Sequence, residues 1–175
     1  MEIYQTLFDT IDVRSFSNIW FWLVLVFAWA RATHYVIGVP FDLILRARRR
    51  GGDFMEDMLT LADVQARRRL YILGRSGIIL VVLWFAIMTT LAMLGFGYGS
   101  ELAQALALLL VPLTIAQFIG IRLTHRIVDG VYDGPTLARK LMWHRLAVQA
   151  IGLLAIFVTT MWGMLHNLSH QALGG

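Results

Sequence analysis

The chain has 175 residues, of which 58% are hydrophobic and 15% charged; that is more apolar surface than a soluble core of this size can hide. Its formal charge of +4 comes mostly from arginines set between apolar runs, not from one basic polar face, so nucleic acid is not an expected partner and lipid is the expected solvent. There is no cysteine, which excludes disulfides, thiolate zinc sites, thiolate-ligated iron–sulfur clusters and covalently attached c-type haem as properties of this chain alone.

In residues 1 to 16, Ile3, Leu7 and Ile11 share one helical face with Tyr4 and Phe8 beside it, while Glu2, Asp9 and Asp12 lie elsewhere. This pattern predicts an N-terminal interfacial helix on the outer leaflet. The same segment is acidic where a signal peptide needs a basic region, so the first apolar run is expected to stay in the mature protein.

A bilayer core of about 30 Å requires roughly 20 apolar residues in a helix. Stretches of that length run from Ile19 to Val39, Ile78 to Tyr98, Leu102 to Ile121 and Leu146 to Leu165. The fold class they predict is all-α: a membrane four-helix bundle forming a single transmembrane domain over residues 1–175.

Between the first two spans, Arg46, Arg48, Arg49 and Arg50 precede a Gly51-Gly52 break and a helical pattern over residues 53–69. Asp53 and Glu56 have capping-box spacing, and Arg67, Arg68 and Arg69 close the far end in the sense the macrodipole favours. An amphipathic helix in the first cytoplasmic loop is therefore expected, its Met55, Leu59 and Ala62 stripe lying on the membrane interface, on the bundle itself or on a partner. Spans two and three are joined only by Gly99, Ser100 and Glu101, which demands a tight helical hairpin, with Gly95, Gly97 and Gly99 supplying the breaks. Pro112 should kink span three, and Gln104, Gln117, Gln149 and Thr114 are placed for hydrogen bonds between helices.

Orientation follows from the basic residues. Thirteen of the 15 Lys and Arg fall in the loops between spans one and two and between spans three and four; the other two are Arg14 and Arg31. Because basic loops resist translocation, both termini are expected outside and both loops in the cytoplasm. Anionic lipid headgroups are the expected neighbours of Arg46, Arg48, Arg49, Arg50, Arg67, Arg68 and Arg69.

Arg31 is the single charge well inside a span, nearer its cytoplasmic end. It could meet a lipid phosphate, a cofactor propionate or a partner carboxylate, or simply snorkel to the interface. His34, His125 and His144 fall at similar depth. With Arg31, Arg122 and Arg126 near them, they are the residues a b-type haem would use, and interfacial anchoring is the plainer role. His166 and His170, four apart, could share a face and bind a metal weakly, but no acidic third ligand stands near them and no metal site is expected. The spans contain no Asp or Glu, which disfavours a coupled small transporter. No phosphate loop, nucleophile elbow or metalloprotease motif appears, so no catalytic residue is assigned.

The strings RSFSNIWFW (14 to 22), VIGVPFDLILRARR (36 to 49) and IFVTTMWGM (156 to 164) resemble an uncharacterised family of small four-span alphaproteobacterial membrane proteins whose members often carry the automatic label "component of SufBCD complex". The resemblance covers nearly the whole chain and implies a link to iron–sulfur cluster assembly, without designating functional residues. Helices of ordinary packing polarity with segments able to dock imply a non-enzymatic accessory or assembly subunit of a larger bacterial inner-membrane complex, of respiratory or photosynthetic type. A haem- or quinone-binding redox protein and a small transporter are the alternatives.

Overall fold

Helix α1 runs over Ile19–His34. The computed structural model describes residues 19–173, with a few side chains within them left out, so the expected N-terminal interfacial helix lies outside the described residues. Span one was expected to continue to Val39, but the chain instead folds back after His34 as a two-stranded antiparallel pair, β1 (Tyr35–Val36) and β2 (Val39–Pro40), with Val36 opposite Val39. The physical reason lies in the residues themselves. Val36, Ile37 and Val39 are β-branched and favour extended backbone, Gly38 takes φ +83°, and Pro40 has no N–H to continue a helix. Ile37 also adopts a positive φ of 53°, an unfavourable conformation for a β-branched residue that its burial holds in place.

Pro40 leads into α2, Phe41–Arg50, which buries Ile44 and Ala47 and leaves Arg46, Arg48, Arg49 and Arg50 exposed. Gly51, at φ +64°, ends it by donating its N–H to Ala47 O at 3.0 Å. Helix α3 then runs unbroken over Asp53–Ala92, 40 residues or about 60 Å. The expected loop helix and second span are thus one rod. The capping box is not formed: Gly52 is the N-cap and no side chain caps the helix, the Gly52 carbonyl taking the amides of Met55 and Glu56 at 2.8 and 3.2 Å. Asp53 and Glu56 still occupy the first turn, where carboxylates complement the dipole.

A π-helical turn, Met93–Gly97, closes α3 and the hairpin follows as expected. Helix α4 (Glu101–Val128) continues through Pro112 as a single helix, and α5 spans Gly134–Leu173. Three helical segments among the described residues are long and apolar enough to cross a membrane: Asp53–Gly97, Glu101–Val128 and Gly134–Leu165. Helix α1 is apolar but has 16 residues, about 24 Å. Arg31, expected well inside a span, consequently stands in the last turn of α1, beside the C-terminal dipole end.

Two cores result. At the end carrying the basic loops, the hairpin, α2 and the first half of α3 pack on the end of α4 and the start of α5, burying Ile44, Met58, Ala62, Ile127 and Leu141 among others. Along the apolar stretches a thinner core joins α1, α4 and α5 through Leu25, Trp29, Leu109, Ala116, Val148 and Ala155. The Met55–Leu59–Ala62 stripe therefore belongs to the protein's own bundle. Thr114, expected to bond across helices, donates instead to Leu110 O within α4 at 2.7 Å.

Candidate functional site

At the junction of the two cores, α1, α3, α4 and α5 enclose a cavity of about 230 Å³ whose lining includes Arg31, Arg69, Gln117, Gly120 and His144. Each helix contributes one element of the polarity. Arg69, near the middle of α3, crosses to α4 and donates from Nη2 to Gln117 Oε1. Gly120 makes room for that crossing: a Cβ there would stand 3.2 Å from Arg69 Nη1 and 3.5 Å from His144 Cε1. His144 comes from the first half of α5, and its Nδ1 is buried with no hydrogen-bond partner among the described residues. Arg31 reaches the same space from α1.

Among the described residues, no carboxylate lines this cavity. Two guanidiniums, an imidazole and a carboxamide in a partly apolar wall favour an acceptor or anionic group: a carboxylate, a phosphoryl oxygen or a carbonyl. Of the residues expected to bind a cofactor, Arg31 and His144 meet here. His34 and His125 do not line the cavity, and both are exposed at the ends of α1 and α4. The side chains of His166 and His170 lie outside the described residues.

The arginines expected at lipid headgroups divide. Arg46 pairs with Asp42 and Arg67 with Asp63, the latter at 2.8 Å, both one turn apart on exposed helix faces, arrangements that contribute little to stability. Arg49 and Arg68 are exposed, Arg50 lies over the Phe54 ring at 5.7 Å, and Arg48 reaches Met142 Sδ. Arg69 alone among them turns inward. In the sequence Arg69 reads as part of a surface cluster and Gly120 carries no signal of its own; an arginine about two and a half helical turns before an apolar span, facing a glycine near the end of another, was the available signal.

No known family, curated protein or solved structure matches the chain.

Proposed function

We propose that this protein is a non-catalytic accessory or assembly subunit of a larger bacterial inner-membrane complex, of respiratory or photosynthetic type, crossing the membrane four times with both termini periplasmic. The basic loops support that orientation. Helix α1 supplies the fourth crossing, its short length accommodated by local thinning and by Arg31 reaching to the inner interface. The resemblance to the four-span family labelled as a SufBCD component is in keeping with a subunit that acts through association.

The observation that carries the reading is the state of α3. None of its most apolar 18-residue stretch is buried, against 33% and 28% of the corresponding stretches of α4 and α5. Ile78, Ile79 and Val82 are 84%, 71% and 63% exposed, so α3 leans on α4 and offers the rest of its surface to lipid or to a neighbouring membrane helix. A photo-crosslinking residue at Val82 is expected to capture one larger membrane protein that also co-purifies stoichiometrically in mild detergent. Recovery solely as a monomer or homo-oligomer would overturn the reading.

The cavity at His144 favours a second reading, a redox cofactor held at the inner level. With one imidazole in the lining among the described residues, it suits hydrogen bonding to a quinone carbonyl better than ligation between two histidines. Protein from haem- and quinone-replete cells is then expected to carry an extractable quinone or a Soret band that His144→Ala removes. A folded preparation with neither would dismiss it.

A further inference from the structure

A second concavity lies on the other face of α5. Arg48 from α2 and Arg139 and Arg145 from α5 surround a cavity of about 410 Å³, with Phe41, Met142 and Trp143 completing much of its wall. Arg145 is fixed there: its guanidinium lies 3.5 Å from the centroid of the Phe41 ring and its Nε donates to Thr33 O at 3.2 Å. Arg48 rests on Met142. Among the described residues, no carboxylate lines the space.

This basic cavity runs on into an apolar one. Leu146 and Gln149 line both, and the second, about 540 Å³, follows the seam of α1 and α5 past Trp29, Ala150, Leu153 and Ile156. Along α5, positions 139, 142, 143, 146, 149, 150 and 153 form one helical face. Its charge is gathered at the end bearing the cytoplasmic loops, and the remainder is apolar.

We propose that this continuous groove is a binding site for one anionic phospholipid, with its phosphate among Arg48, Arg139 and Arg145 and an acyl chain along the α1–α5 seam. Basic pockets between membrane helices at the cytoplasmic level are suited to anionic headgroups. Guanidiniums pair with phosphate oxygens in bidentate fashion. The apolar continuation selects a lipid over a small anion, since free phosphate would leave the seam unfilled. The site is separate from the His144 cavity and does not depend on the subunit role.

Native mass spectrometry of the full chain in detergent tests this, with phosphatidylglycerol and phosphatidylcholine of identical long acyl chains as probes. Phosphatidylglycerol is expected to bind preferentially, and the double variant Arg48→Gln/Arg139→Gln to weaken it by roughly tenfold or more, with the far-ultraviolet spectrum and melting retained. Arg75→Gln/Lys140→Gln removes equal charge outside the groove and is expected to leave the preference in place. Ala150→Phe, which obstructs the seam, is expected to weaken long-chain binding while Arg48 and Arg139 remain. Equal binding of the two lipids, or equal losses in the two charge variants, would overturn the proposal. So would displacement of the lipid by millimolar inorganic phosphate with no dependence on acyl length, which would mark a small-anion site.

Discussion

Leucine in place of Gly152 is expected to force α1 away from α5. Even a single Cβ at this position would lie 2.7 Å from Trp29 Cε3 and 3.0 Å from Cδ2, inside van der Waals contact. Trp29 is 5% exposed and packed with Leu25, Leu109, Val148 and Ala155, so any shift of the indole gives up those contacts. Overpacking of this kind costs about 1–3 kcal/mol. For a chain of this size each kcal/mol lowers Tm by roughly 2–4 °C, so thermal melting in detergent should fall by several degrees. Because small residues govern close approach between membrane helices, the paired change Gly152→Leu/Trp29→Ala should recover part of the loss. A Gly152→Leu protein that melts with the wild type would show that α1 does not pack on α5 at this point.

The second large effect is expected at Gln104, which is buried in the hairpin between α3 and α4. Its Nε2 donates to Gly95 O at 2.7 Å, inside the π-helical turn, and its Oε1 accepts from Trp162 Nε1 at 2.9 Å. One carboxamide therefore ties three helical segments, and the Trp162 ring is further steadied by an edge contact with Phe96 at 5.9 Å. Gln104→Leu keeps the bulk but strips a partner from an indole N–H and from a carbonyl. An unpaired buried group such as the Gly95 carbonyl costs about 1–3 kcal/mol, whereas Trp162 is 37% exposed and its lost bond is worth nearer ~0.6 kcal/mol, the average between membrane helices; a combined loss of about 2 kcal/mol is expected. A double-mutant cycle with Trp162→Phe should show strong non-additivity in the melting free energy. Simple additivity would mean that the two side chains act independently.

Both positions show which properties a sequence exposes. The stretches at 78–98, 102–121 and 146–165 fall on helices, all but the terminal Tyr98, because length and hydropathy are local quantities. Residues 35–40 do not, because Val36, Ile37 and Val39 are equally apolar in a helix or a hairpin. Only Gly38 and Pro40 distinguished the outcomes, and a hydropathy window averages such single residues away. At the candidate site, Arg31 and His144 could be brought together by depth alone. Arg69 could not, because its inward turn depends on the rotational register of α3 against α4 and on the space at Gly120. Arg139 and Arg145 were read as loop charges. Their place on one face with Trp143, Leu146 and Gln149 became apparent once α5 was seen to begin at Gly134, well before the apolar stretch.

The unbroken run of α3 has a mechanical consequence. Its first half is locked into the core of the basic end through Met58, Ala62 and Ala66, none of which has any exposed surface, while its second half lies uncovered among the apolar stretches. Gly74 and Gly77 lie between these halves without interrupting the helix. A neighbour that pushes on the uncovered half therefore loads the anchored half through a continuous helix, with the Arg69–Gln117 tie near its middle. The cavity lined by Arg31 and His144 also has Arg69 and Gln117 in its wall, so it lies beside that tie.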